Sequence, residues 1–187
     1  GLSDGEWAIR ANVTLAGANV TYNVQRDGVE VASEKMVDQW RVTSNQGISP
    51  STSTTVTNWE RVDGTGFGTL NGGMTQSSGI FTFPSTGIYK VEFTPYFNDT
   101  ESNNSIRGLI QSTTNNSSYD TRAQNPQSIA DVDTYNYGSV YVCALFDVTN
   151  TSTHKVRFNM YSSGNFDING DTNTNETYAT FTRVGGT

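Results

Sequence analysis

The stretch that decides the fold is GIFTFPSTGIYKVEFTPYF, Gly79 to Phe97. A short apolar run leads into Pro84-Ser85-Thr86-Gly87, and a longer run leaves it with aromatic and branched residues alternating with polar ones. Proline fixes φ and glycine accepts φ > 0, so Pro-x-x-Gly between two apolar runs predicts a tight turn joining the two strands of a hairpin. On the outgoing strand Tyr89, Val91 and Phe93 share one side, while Lys90 and Glu92 share the other. Period-two alternation of this kind marks an antiparallel strand with one buried face.

The same alternation recurs in Val156, Phe158 and Met160 against Lys155, Arg157 and Asn159. Further strands are expected at Asp38–Val42, Val56–Val62 with Trp59, Ile106–Gln111, Ser128–Asp133, Gly138–Val148 and Tyr178–Val184. Glycine-rich GTGFG at 64–68 and NGG at 71–73 mark a long connection. With 187 residues, 18 glycines, 4 prolines and 11% aromatics, the composition is that of one all-β sandwich with many turns. A hydrophobic content of 34% is low, but the aromatic and β-branched residues argue against disorder.

Tyr141 to Phe146, YVCALF, departs from the alternation because both of its faces are apolar. One face of such a strand meets the sandwich core, and a soluble chain must cover the other. A neighbouring subunit is the economical cover. Tyr141, Cys143 and Leu145 form one face and Val142, Ala144 and Phe146 the other, either of which could be outermost. Trp40 and Trp59, on the strands that open the sandwich, are expected in the core or in the same subunit seam.

Residues 1–37 read differently. Asn-Val-Thr occurs at Asn12 and again at Asn19, and Asp27-Gly28 is a hairpin signal. We expect a small β-hairpin or shaft segment with a helical turn around Ser33–Val37, followed by the main domain at 38–187. The numbering opens at Gly1, and the chain is read as a trimmed piece of a longer protein.

Several chemistries are disfavoured. A net charge of −7 with no Lys/Arg cluster argues against nucleic acid. No run reaches the ~20 apolar residues of a membrane helix. The lone Cys143 forms no disulfide within the chain and suits folding in a reducing cytoplasm. His154, with Ser152 and Asp147 near it in sequence, lacks a nucleophile-elbow setting. Asp131 and Asp133 share a strand face but read as a chance pair in a polar loop. Asp167-x-Asn169-x-Asp171 begins like a calcium loop, but Thr172 stands where the loop needs glycine and Tyr178 where it needs an acid. No metal, cofactor or catalytic residue is expected.

The pattern of Gly79, Phe81, Pro84, Gly87 and Tyr89 resembles the hairpin signature of the C1q/tumour-necrosis-factor-like jelly roll. FDVTNTSTHKVRF from Phe146 and the closing TFTRVG from Thr180, with Phe181 at the aromatic position, extend the resemblance over roughly Trp40 to Gly185. The wording looks like the version carried by tail-fibre and other appendage proteins of marine bacteriophages. The resemblance implies a two-sheet antiparallel jelly roll that assembles as a homotrimer and is not an enzyme. It further implies a virion-surface fibre head, assembled in the host cytoplasm, that meets a host cell-surface glycan or protein. Other virion proteins would be held through the N-terminal segment.

The ligand-facing candidates are polar loop residues and loop tyrosines: Asn98, Asp99, Asn103, Asn115, Asn116, Tyr119, Tyr135, Tyr137, Asp171 and Asn173. Alternative readings are a purely structural capsid-decorating fibre or adaptor, and a secreted C1q-domain lectin of a cellular organism. A polysaccharide depolymerase is a third, but it needs a catalytic carboxylate or triad that the sequence does not offer.

Overall fold

The computed structural model describes residues 7–12, 21–26, 29–30, 35–99, 103–129 and 136–187. The chain divides into two compact units, Gly1–Glu34 and Lys35–Thr187. In the first, β1 (Trp7–Asn12), β2 (Thr21–Arg26) and β3 (Val29–Glu30) form an antiparallel three-stranded sheet. The Asp27-Gly28 signal itself lies outside the described residues, as do Ser33 and Glu34. Met36 and Val37, expected to close a helical turn, instead begin a strand, so the strand starts two residues before the expected boundary at 38.

The second unit holds β4 (Met36–Val42), β5 (Gln46–Ile48), β6 (Thr54–Thr55), β7 (Trp59–Arg61), β8 (Thr75–Ser77), β9 (Ile80–Thr82) and β10 (Gly87–Thr94). After these come β11 (Tyr96–Asp99), β12 (Asn103–Thr113), β13 (Asp120–Ile129) and β14 (Asn136–Ser139). The chain ends with β15 (Val142–Val148), β16 (Lys155–Ser162), β17 (Phe166–Ile168) and β18 (Tyr178–Gly185). One sheet has the order β15-β10-β18-β4-β7 and another β13-β12-β16-β9-β8, with β6 also on β16. A smaller sheet, β14-β11-β17-β5, continues the structure at one end. Every pairing is antiparallel, and the chain passes back and forth between sheets from β9 onward. This is the expected two-sheet jelly-roll sandwich.

The alternating residues named from sequence fill the space between the sheets. Phe81, Tyr89, Val91, Phe93, Val156, Phe158, Met160 and Phe181 are all fully buried. Phe81 lies at the centre, its ring 5.5 Å from those of Trp40, Trp59 and Phe158 and 5.0 Å from Phe181. Phe93 stacks on Phe158 at 4.8 Å.

Pro84–Gly87 does not close a hairpin. It joins β9 of one sheet to β10 of the other, so it is a corner of the sandwich. The Tyr89 hydroxyl donates to Ser85 O at 3.0 Å, and the Phe83 ring packs on Tyr89 at 4.8 Å, which pins the corner. Gly87 has φ +143°, and a Cβ there would run into Arg183 and Gly185. The true hairpin precedes it: Ser77 pairs with Ile80 across Ser78 and Gly79, whose φ values of +52° and +80° are those of a type I′ turn.

Three other expected strands differ. Val56–Val62 is interrupted at Asn58, which has φ +60°, leaving only Trp59–Arg61 as strand. Ser128–Asp133 is the tail of a longer strand beginning at Asp120, and residues 130–135 lie outside the described set. Gly138–Val148 divides into β14 and β15 because its partner divides too. The pairing runs Phe93↔Val142 and then Tyr96↔Ser139, so one ribbon bends where Pro95 has no amide to give and continues into the smaller sheet.

Candidate assembly face and ligand cleft

The sheet β15-β10-β18-β4-β7 has one face in the core and one outward. Register places Leu145, Lys90, Thr182 and Val37 in one row across the outward face, ending on a bridge from Val37 to Leu70. The next row is Cys143, Glu92, Thr180 and Gln39. Thus Tyr141, Cys143 and Leu145 are the outward set of the doubly apolar strand, and Val142 and Val148 face in with Phe146 packed against the core. Leu145 is 69% exposed and Tyr141 51%.

The polar members of this face are tied together. Tyr141 Oη donates to Glu92 Oε1 at 2.6 Å, and Lys90 Nζ donates to the same oxygen at 2.7 Å. The bond to Glu92 raises the pKa of Lys90 and, through the phenol, that of Tyr141. Burial pushes the Glu92 carboxyl up, but the two donors outweigh it and leave it below its ordinary value.

Trp40 and Trp59 are not part of this face. They are 9% and 6% exposed, inside the aromatic core, so the seam expectation is corrected for both. β4 also carries charge inward. Asp38 is fully buried on the core side, accepting from Trp40 Nε1 at 2.9 Å, Arg61 Nε at 3.0 Å and the Met74 amide at 2.7 Å. Arg41, on the opposite side, is also buried and pairs with Glu60 at 2.7 Å and Asp63 at 2.9 Å.

The ligand-facing candidates fall in separate places. Asn98 and Tyr137 are directly paired across β11 and β14, with Tyr137 58% exposed and its ring stacked on Tyr96 at 5.8 Å. Asp99 pairs with Asn136, and Asn103 opens β12. Tyr135 lies outside the described residues.

Asn115 turns inward on its own loop. Its Oδ1 accepts from the amides of Ser117 (2.9 Å) and Ser118 (3.0 Å) and from Thr113 Oγ1 (2.8 Å). Asn116 adopts φ +56° and its amide donates to Thr153 O. Tyr119 is half-buried with the Arg157 guanidinium 4.1 Å above its ring, so that ring face is already covered. Asp171 Oδ1 accepts from the amides of Asn173 (2.6 Å) and Thr174 (2.8 Å), which lowers its pKa, and Asn173 Nδ2 donates to Thr172. These side chains build their loops.

A polar cleft of about 290 Å³ lies on the outer face of the smaller sheet. One row across that sheet runs Gly47, Asp167, Asn98, Tyr137. Ser49 and Asn165, two residues along from Gly47 and Asp167, extend the same face and also line the cleft. The side chains of Asp167 and Asn98 have no hydrogen-bond partner among the described residues. Of this group only Asn98 and Tyr137 were expected at a site. Asp167 was visible as an exposed acid between Phe166 and Ile168, but its neighbours are about 70 and 120 residues away in sequence.

His154 contacts Thr153 Oγ1 at 3.3 Å and has no carboxylate partner among the described residues. Asp131 and Asp133 lie outside the described set. No group of three His, Cys, Asp or Glu among the described residues could hold a metal ion.

No family model matches the sequence, and no curated protein matches it. Solved structures do match in three dimensions. Eiger TNF from S. frugiperda superposes with a TM-score of 0.63 at 12% identity, covering 83% of this chain and 96% of that one. Murine APRIL at pH 8.0 gives 0.58 at 14% identity, covering 81% of this chain and all of that one, and APRIL at pH 8.5 gives 0.56. At such identities the likeness is one of fold, and the fold of residues 35–187 is a TNF-like jelly roll.

Proposed function

We propose that this chain is a non-enzymatic, homotrimeric head of a bacteriophage virion appendage, presenting three copies of its outer surface to a host cell. The observation that carries the reading is the outward half of β15. Leu145 and Tyr141 are largely exposed on the outward side of the sheet, and a closed three-fold association covers these apolar side chains identically on each subunit. The TNF-like fold supports that assembly, and the resemblance of FPSTGIYKVEF, FDVTNTSTHKVRF and TFTRVG to phage appendage sequences supports the setting. Each copy binds its target weakly, and three linked copies gain avidity with no new contact. The N-terminal unit, as the shaft side, joins the head to other virion proteins.

Sedimentation of the full chain at micromolar concentration should give three times the chain mass, and Leu145→Glu should give monomer or aggregate. The labelled wild-type chain should adsorb to cells within a panel of marine bacterial isolates, and the monomeric variant should not. A wild-type monomer, or a trimer that adsorbs to none of the panel, would defeat the reading. A secreted C1q-domain lectin of a cellular organism is the second reading, favoured by the animal sources of the matching structures. Glycan occupancy at Asn115 in the native protein would select it.

A further inference from the structure

We propose that the cleft on the β14-β11-β17-β5 sheet is a saccharide site, taking one neutral or amino-bearing hexopyranose unit of a surface glycan. The inference rests on the adhesive reading above for the source of that glycan, and on the cleft's own chemistry for its class.

Three features of the cleft and one beside it point the same way. Asp167 presents a carboxylate with no partner among the described residues, a group that accepts two hydrogen bonds at once and so matches a pair of adjacent hydroxyls. Beside it in the row, Asn98 offers both a donor and an acceptor, which a hydroxyl can satisfy from either side. On the other flank Gly47 has no side chain, and that leaves the depth of the cleft open in front of Asp167. Next to Asn98 in the row, beside the cleft and outside its lining, Tyr137 is more than half exposed and stacked on Tyr96, placed to pack against the C–H face of a sugar ring that extends from the cleft.

Other ligand classes fit less well. The cleft is lined by Gly47, Ile48, Ser49, Asn98, Asn165, Phe166 and Asp167 and by no Lys or Arg, while the chain carries a net charge of −7, so phosphates and acidic sugars are repelled. Ile48 and Phe166 are buried in the core, so they leave an apolar ligand little surface to bury against. A single carboxylate is too few ligands for a divalent cation. The volume of about 290 Å³ is at the small end for a ligand pocket, which suits one ring of a longer chain.

The test uses the full chain and saturation-transfer NMR on glucose, galactose, mannose, N-acetylglucosamine, glucosamine and glucuronate. At least one neutral or amino sugar should give a transfer signal at millimolar concentration, and glucuronate should give none. Asp167→Asn should weaken that binding about tenfold, as for loss of a hydrogen bond to a charged group. Gly47→Phe should fill the cleft and abolish it, while Asp120→Asn, on a distant edge strand, should leave it unchanged.

All three variants should keep the wild-type circular dichroism and melt. No signal from any of these sugars, or a signal that survives both cleft variants, overturns the proposal. Cell adsorption separates the two readings. Wild-type adsorption equalled by Gly47→Phe removes the cleft and keeps the adhesive head, with a peptide or other surface ligand elsewhere. Sugar binding without adsorption to any cell keeps the cleft and removes the head.

Discussion

Asp38→Ala tests the most unusual feature of the sandwich, an ionisable side chain turned into the core. Asp38 is 0% exposed and accepts hydrogen bonds from three sources, Trp40 Nε1, the Met74 amide and the Arg61 guanidinium. Truncation leaves the first two donors buried without partners, at about 1–3 kcal/mol each. Arg61 is 42% exposed and keeps its 2.6 Å bond to Met74 O, so water and that carbonyl serve it, and its loss adds little. The expected destabilisation is therefore about 2–6 kcal/mol.

Urea unfolding at fixed protein concentration should show a lower midpoint with an unchanged slope. The melting temperature should fall by roughly 10 °C or more for a unit of this size. Asp38→Asn, whose one carbonyl oxygen can take the Oδ2 position that serves both buried donors, should lose less. Gly73→Ala should also destabilise, because its Cβ would overlap the Asp38 carboxylate. An Asp38→Ala variant within 1 kcal/mol of wild type would refute the claim that these donors depend on it.

Phe81→Ala should cost about 4–5 kcal/mol, the upper range for a buried aromatic, because four rings lose their common partner. A loss below 2 kcal/mol in the same urea assay would place the core elsewhere. Tyr141→Phe removes a donor from Glu92, so the Glu92 carboxyl should titrate higher by carbon-detected NMR, and an unmoved titration would contradict the hydrogen bond. Asp171 has a lowered pKa in the folded loop, so its contribution is present above the unfolded carboxylate value and lost as pH falls through the folded one. Protection of the Asn173 and Thr174 amides relative to their intrinsic exchange should fall in that acidic window, and protection independent of pH would count against the turn. Adding EDTA should leave the melt unchanged, and a collapse would reveal a structural metal.

Local pattern was enough for much of this molecule. Alternation in Tyr89–Phe93 and Val156–Met160 names residues that are buried in the structure, because a strand's two-residue period assigns faces without reference to its partner. It also separated Tyr141, Cys143 and Leu145 from Val142, Ala144 and Phe146, but not which set faces out. That choice depends on which side of β10 carries Tyr89, Val91 and Phe93 into the core.

Other features depended on contacts distant in sequence. Pro84–Gly87 has the residues of a tight turn, yet whether the strands beside it pair or part is decided by β16 and β18, which draw them into different sheets. The Asp120–Ile129 strand has few apolar residues because it is an exposed edge, where Pro126 needs no donor and burial leaves no periodic trace. Asp38 reads as an ordinary surface acid until Trp40, Arg61 and the Met74 amide close around it. The cleft is the extreme case, since Gly47, Asn98 and Asp167 come from three strands and meet only through sheet register. Sequence alone determined the strand type and most of the core, because local sterics and burial act on neighbours along the chain. Tertiary structure alone decided which strands pair and which polar groups converge, because those follow from hydrogen bonds between residues far apart in the chain.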